Sequence, residues 1–420
     1  MKLEKFEEIL LKQLNEKYHT QKELEYSKSV GSFLEPFEYN LFLDYLDKII
    51  SEGDKRLFLT PLKVFNHKFI YGVIGKDLSS LIKDYLNLIV DDFNQNRSFI
   101  SDRYLLEIKK SRIYSEIEGT LNVENVPTTR KRLKEILEDN IEVEDKNDII
   151  IKNTGRAIKF VETLPEFTPE NLFKLYSLLS NDSLSEENKL KEGEYYRYDS
   201  VIVDKYEGCP AKNIEECMNS LFSYVNDVIN KKDNSLETIL LPHICHYYIL
   251  YIHPYFDYNG RTARMISYWV YLLTGSKYYP PIISEAINET KAEYYRAIEE
   301  SRNSHNDITY FLKYIFELSI DYILCYMNID EIIKHSKNRN IVLTNTEINY
   351  IKHILIGYES KFTYLDFLKM CKIDMSKQGV FKILNKFVEC GFLISVPTNS
   401  KYKLFAINDE VVTYRMHNFN

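Results

Sequence analysis

At 420 residues, with 45% apolar and 28% charged content, the chain has the length for two or three domains and ample core. Its net charge of −8 excludes a generic nucleic-acid binder, and no uninterrupted apolar run approaches membrane-spanning length. Six cysteines without CxxC or other ligand spacing read as reduced core thiols, and the acidic N-terminus does not read as a signal peptide. The expected compartment is the cytoplasm.

Tyrosine is abundant at 34 and glycine scarce at 13, which suits a mainly helical chain. Residues 1–100 carry helical periodicity with charged faces, interrupted by a β-like patch at Phe69–Ile74. Ser101 is the expected N-cap of a helix that reaches Gly119, with Leu105, Ile108, Ile113 and Ile117 as its apolar stripe. Gly119 is expected to stop that helix. Glu118 in the last turn opposes the helix dipole, so it calls for a partner.

Two helices are predicted at Asp148–Leu164 and Thr168–Leu179, the second opened by Thr168-Pro169-Glu170. Gly193 to Val203 alternates and is β-prone, so an edge hairpin is expected there. Glu215–Asn230 is a further helix. Next come two apolar helical stretches, Ile244–Ile252 and Met265–Leu273, separated by a polar loop. His246, two turns before His253, reads as a buried structural histidine.

The loop is His253-Pro-Tyr-Phe-Asp257-Tyr258-Asn259-Gly260-Arg261-Thr-Ala-Arg264. A helix that starts at Asn259-Gly260 offers unpaired N–H groups and a positive dipole end to an anion. Gly260 allows close backbone approach, and Arg261 and Arg264 share one helical face. Two forked guanidiniums beside such a nest suit a polyphosphate, and Asp257 offers the hard oxygen of a Mg²⁺ site. His253 is placed to take a proton near neutral pH.

This stretch resembles the signature of the Fic (Fic/Doc, Fido-domain) family, H-x-F-x-[DE]-G-N-G-R-x-x-R, at His253, Asp257, Asn259, Gly260, Arg261 and Arg264. Tyr255 stands where the family has Phe, and Tyr258 where it has its first Gly. The resemblance implies a Fic-type helical core with a small β-hairpin flap that aligns a target segment. It also implies transfer of AMP from ATP, with Mg²⁺, to a Tyr, Thr or Ser hydroxyl of a target protein, self-modification included. His253 is then the base, Asp257 the metal ligand, and Asn259, Gly260, Arg261 and Arg264 the nucleotide-binding set.

Tyr114-Ser115-Glu116-Ile117-Glu118-Gly119 resembles the family's inhibitory motif, [ST]-x-x-x-E-[GN]. That motif is often written with two serines before x-I-E-G: Ser115 matches the second serine, Glu118 and Gly119 match fully, and Tyr114 replaces the first. By resemblance, Glu118 pairs with Arg264 in place of the ATP γ-phosphate. Glu285–Glu300 resembles the helix that flanks the adenine, with Tyr295 as a base contact and Tyr294 as core. Within the family, AMP removal and transfer of another phosphate-containing group stay open.

A long apolar helix at 307–334 closes the core, and 335–340 reads as a linker. From His335 to Phe405 there are eleven Lys and Arg against five Asp and Glu. Predicted helices at 344–356, 363–371 and 376–389 precede strands at 391–396 and 402–407. That is the pattern of a winged helix-turn-helix, with Lys377, Gln378 and Lys382 outward on its third helix. DNA binding and protein contact both remain open for residues 335–420. So does a winged-helix DNA-binding regulator whose Fic core senses nucleotide. The expected organisation is an N-terminal helical extension (1–100), an inhibitory helix (101–120), a catalytic core (121–334) and the winged helix (335–420). A homodimer through the helical core fits the same reading.

Overall fold

The computed structural model describes residues 2–26, 34–66, 69–97, 102–138, 142–164, 166–203, 206–233, 235–275, 283–357, 361–397 and 402–412. It is mainly helical, with three separate two-stranded antiparallel hairpins among the described residues. The chain forms two compact units, residues 1–84 with 99–318, and residues 85–98 with 319–420.

The first unit opens with α1 (Lys2–Asn15), α2 (Gln21–Tyr26) and α3 (Pro36–Ser51), whose apolar stripes form one cluster around Phe6, Phe42 and Leu46. The hairpin β1 (Phe58–Leu59) and β2 (Tyr71–Gly72) follows, then α4 (Lys76–Arg97). Residues 1–84 share a compact unit with the core, and α4 passes into the second unit. Tyr18 donates its hydroxyl to Asp307 at 2.9 Å, Tyr39 and Ser304 hydroxyls meet at 2.8 Å, and Tyr71 bridges to Asp307.

The core runs through α5 (Asp102–Val123), α6 (Arg130–Leu137), α7 (Lys146–Val161) and α8 (Pro169–Ser180). Thr129, Asp145 and Thr168 cap the last three, each side chain accepting an N–H from the first turn. The hairpin β3 (Ile202–Val203) and β4 (Tyr206–Glu207) leads to α9 (Ala211–Lys231) and the central pair, α10 (Leu236–Ile252) and α11 (Asn259–Leu273). Helix α10 is apolar all round and buried along almost its whole length, as a helix at the centre of a core must be. Then come α12 (Ile283–Glu289), α13 (Lys291–Asn303) and α14 (Thr309–Asn338), the last passing into the second unit.

The second unit contains α15 (Asn345–Gly357), α16 (Tyr364–Met370), α17 (Lys377–Glu389) and the hairpin β5 (Leu393–Val396) with β6 (Leu404–Ile407). Its own core gathers Ile351, Phe367, Leu384, Phe387, Phe392 and Phe405. Helix and hairpin positions follow the sequence periodicity there closely.

Two expectations are corrected. Gly119 does not stop α5, which continues to Val123. An added Cβ on Gly119 would lie 2.3 Å from the Glu285 backbone nitrogen, so the glycine is a close-packing residue between α5 and α12. The stretch 193–201 is mostly turn and loop rather than strand: Arg197 is turned inward, its N–H donating to the Pro254 carbonyl and its guanidinium to the Asp199, Cys209 and His253 carbonyls, and pairing is confined to two residues on each side. The expected N-cap Ser101 and the Pro280-Pro281 turn lie outside the described residues.

Candidate active site

The site forms where α10 ends and α11 begins. His253 is the C-cap of α10, with φ 55° and ψ 61°, its N–H donating to the Ile249 carbonyl. Histidine tolerates this left-handed region better than most side chains. Its side chain is partly buried, and burial, followed by the charges of Arg302 and Arg197, pushes its pKa down to about 3. The imidazole is therefore neutral, the form that can accept a proton.

Tyr258 is the N-cap of α11 at φ 68°, so the backbone here takes the conformation that favours glycine. Three contacts hold the tyrosine against that strain. Its hydroxyl meets Ser183 Oγ at 2.5 Å, its N–H donates to Asp257 Oδ1 at 2.5 Å, and the Arg261 guanidinium lies 3.4 Å from its ring centroid. Asn259 folds back on the loop, accepting from Tyr255 N–H at 3.0 Å and donating to the Tyr255 carbonyl at 2.8 Å. Its side chain thus shapes the turn. The first intrahelical bond is Thr262 N–H to Tyr258 O, which leaves the N–H groups of residues 259–261 pointing from the helix start.

Arg261 is buried, with Nε and Nη1 lacking a protein partner, and its Nη2 is 3.7 Å from Asp257 Oδ1. Arg264, also buried, donates Nε to Thr120 Oγ1 at 2.8 Å and Nη2 to Glu124 Oε1 at 2.6 Å. Burial alone raises the Glu124 carboxyl, but Arg264, Arg261 and Lys291 outweigh it and hold it below the usual value. A Cβ on Gly260 would lie 2.5 Å from Glu124 Oε1. The glycine makes room for that carboxylate at the helix N-terminus.

The expected pairing of Glu118 with Arg264 is corrected by this geometry. Glu118 Oε2 lies 3.8 Å from Arg130 Nη1, Ser115 Oγ accepts from the same guanidinium at 3.1 Å, and Arg264 meets Glu124. Six residues separate the two glutamates, roughly 9 Å along a helix, so they cannot exchange places without sliding α5. The signal for Glu124 was present: Thr120-Leu-Asn-Val-Glu124-Asn125 fits [ST]-x-x-x-E-[GN] at every fixed position, whereas Ser115 stands only three positions before Glu118, and Thr120 is the residue that Arg264 binds. Arg197, which donates Nε to the His253 carbonyl at 2.8 Å, carried no motif signal.

Tyr295 is 46% exposed with its ring 5.3 Å from that of Tyr294, which is buried and hydrogen-bonded to His246 Nε2 at 2.8 Å. His246 is thus a core residue. Asp257 is partly exposed and offers a carboxylate beside Arg261, a donor set that suits Mg²⁺ shared with phosphate oxygens. A separate grouping of Asp44, Asp47 and His305 does not involve Asp257. All six cysteines are buried and outside any disulfide, and no described helix is long and apolar enough to cross a membrane.

Residues 166–271 match the Fic/DOC family model. The protein adenylyltransferase Fic of Nematostella vectensis is 30% identical over 125 residues, covering 30% of this chain and 27% of that protein. The protein adenylyltransferase Fic of Drosophila grimshawi is 22% identical over 220 residues, covering 50% of this chain and 42% of that one. The chain therefore spans less than half the length of these curated relatives. A crystal structure of a Fic family protein from Desulfovibrio desulfuricans G20 superposes with a TM-score of 0.49 at 15% identity, over 78% of this chain and 95% of that one. Through residues 166–271, which hold the His253 loop and both arginines, this chain carries a Fic/DOC family domain.

Proposed function

We propose that this protein transfers AMP from ATP to a Tyr, Thr or Ser hydroxyl of a target protein and that Glu124 restrains it. The observation that carries the reading is the Glu124 carboxylate at the α11 N-terminus, within 2.6 Å of Arg264. An anion-binding corner that accepts an internal carboxylate is suited to a phosphate once that carboxylate withdraws. The names of the curated relatives agree with it.

In this reading His253 takes the proton of the target hydroxyl. The hydroxyl oxygen bonds to the α-phosphorus, the bond to the β-phosphate oxygen breaks, and diphosphate leaves. The N–H groups of Asn259, Gly260 and Arg261, with the Arg261 guanidinium, steady the charge that develops. Arg264 binds the γ-phosphate when Glu124 is displaced, and Tyr295 lies against the base. Mg²⁺ held by Asp257 would supply charge neutralisation between the phosphates. Six buried cysteines outside any disulfide agree with a cytoplasmic setting.

Intact-mass spectrometry after incubation with ATP and Mg²⁺ tests this, with and without candidate target proteins. An AMP adduct on the chain or target in Glu124→Gly, absent in His253→Ala, is expected. Glu124→Gly binding no nucleotide and forming no adduct overturns the reading.

A second reading concerns the three helices and hairpin of the second unit, which we take as a winged helix. Lys377, Gln378 and Lys382 are all exposed on α17, the position of a recognition helix. Binding of the full chain to duplex DNA that weakens steeply with salt favours a DNA contact; salt-independent self-association by light scattering favours a homodimer.

A further inference from the structure

Helix α10 ends with carbonyl groups that have no intrahelical partner and with the negative end of its dipole. Two arginines from different elements of the same unit answer that end. Arg302, on α13, donates Nη2 to the Leu250 carbonyl at 2.9 Å, with its guanidinium 4.0 Å from the Tyr206 ring. Arg197, in the loop before β3, is only 2% exposed. It donates Nε to the His253 carbonyl at 2.8 Å, Nη2 to the Cys209 carbonyl and Nη1 to the Asp199 carbonyl, while its N–H donates to Pro254 O at 2.9 Å.

The hairpin is pulled in behind this fork. A Cβ on Gly208 would sit 3.0 Å from Arg197 Nη2 and 3.4 Å from His253 Cβ, so guanidinium, flap backbone and imidazole share one packed corner. Neutral carbonyl oxygens satisfy the buried guanidinium at every donor nitrogen. That is an expensive way to tie a loop, since a neutral amide could bond one or two of the same carbonyls without a desolvated charge. What the amide would lack is the charge beside the ring and the rigid three-way fork.

We propose that Arg197 and Arg302 are positioning residues that act through His253: their carbonyl bonds fix its left-handed backbone, and their charge opposes protonation of its ring. This rests on the reading of His253 as the base. The groups that bear on the ring are Arg302 and Arg197 against protonation, and Glu124 and the Leu250 carbonyl in favour, with burial the largest influence.

The test uses the full chain as wild type, Arg197→Lys, Arg197→Gln, Arg302→Gln and the double Gln variant. The His253 ring signals, identified by their loss in His253→Ala, are titrated by NMR. Turnover is measured in the Glu124→Gly background. The protonated fraction of His253 at about pH 4.5 is expected to rise at least fivefold in each Gln variant, as loss of a nearby charge requires. Arg197→Lys, which keeps the charge but not the fork, should hold the ring neutral while kcat falls about tenfold with KM for ATP within threefold. Ring signals as resistant to acid in Arg302→Gln and in the double variant as in wild type overturn the proposal. So does a kcat for Arg197→Lys that matches wild type once corrected for folded fraction. The NMR arm reads the ring without turnover, so a chain that transfers no AMP fails the functional reading alone.

Discussion

Glu124 and Arg264 are joined by a 2.6 Å ion pair that closes over the N-terminus of α11 from the far end of α5. The guanidinium is buried and Thr120 binds it as well, so the pair is part of the packed core rather than a surface contact. On the proposed reading, glutamate and phosphate compete for the same donors. Glu124→Gly should therefore tighten ATP binding, measured calorimetrically, by a coupling of about 5- to 150-fold. Glu118→Gly leaves the Glu124–Arg264 pair in place and should leave ATP affinity within about twofold. Equal gains in the two variants would show that α5 rather than Glu124 is the restraint.

Gly260 separates two effects that Glu124→Gly merges. A Cβ there would crowd Glu124 Oε1 at 2.5 Å and Arg264 Nη1 at 3.4 Å. The carboxylate is the flexible end of a side chain and can swing away, whereas a bound phosphate needs the same space against the backbone. Gly260→Ala should break the ion pair without a gain in ATP affinity, and adding it to Glu124→Gly should reverse that variant's gain. A crystal structure and calorimetry of the pair of variants check both statements.

The loop chemistry was legible in the sequence because it lies in twelve consecutive residues. His253, Asp257, Gly260, Arg261 and Arg264 all fall in one loop and the turns of helix that bound it. The partner of Arg264 was harder to read. Two glutamates near the end of α5 compete for one motif: Tyr114 breaks it for Glu118, while Thr120 and Asn125 complete it for Glu124, the residue that the packing of α5 brings to Arg264. Gly119 fixes that packing by letting the α12 backbone touch α5, and the partly buried Glu116 accepts from Ser284 N–H at 3.1 Å at the start of α12. Arg197 left no trace because its partners are backbone carbonyls, which any residue supplies. The strain at Tyr258 was anticipated from the glycine that the resemblance places there. Its compensation by Ser183, some 75 positions away in the chain, was not.

Tyr258→Gly would relieve a left-handed residue, worth about 1–2 kcal/mol. It would also remove a buried ring stacked on Arg261, and large-to-small core changes of aromatic size cost about 3–5 kcal/mol. The loss wins. Chemical denaturation should show Tyr258→Gly less stable by about 2 kcal/mol, while Tyr258→Phe, which loses only the hydrogen bond to Ser183, should cost about 1 kcal/mol. A more stable Tyr258→Gly would mean that the strain outweighs the packing.

Gly119→Ala tests the close contact of α5 and α12. The added Cβ meets backbone at 2.3 and 2.5 Å, which cannot be relieved by a rotamer change. Overpacking of this kind costs about 1–3 kcal/mol. The melting temperature should fall, and hydrogen exchange should quicken in α12 before α10. Exchange that quickens uniformly would place the contact outside the local packing of this helix pair.

Acid stability follows from two buried histidines and the partly buried His253. Burial holds His243 down to about 4, burial with Arg264 and His243 holds His246 well below its ordinary value, and His253 is held near 3. In each the folded pKa lies below the unfolded value of about 6.5, so the unfolded chain takes up protons that the folded chain refuses. Their contribution is complete above about pH 6.5 and is lost progressively as pH falls below it. Asp307 runs the other way, because burial raises it to about 6 and the folded state gains a proton there, which offsets one histidine of the three. The folding free energy should therefore be flat from about pH 7 to 8 and fall between about pH 6.5 and 4.5. His243 is the place to intervene, since its ring packs edge-on against Phe316 and its Nδ1 has no hydrogen-bond partner to lose. His243→Leu should remove one proton from the acid slope, about 1.4 kcal/mol per pH unit, as measured by urea denaturation across that window. A slope unchanged by the substitution would mean that His243 is already protonated in the fold.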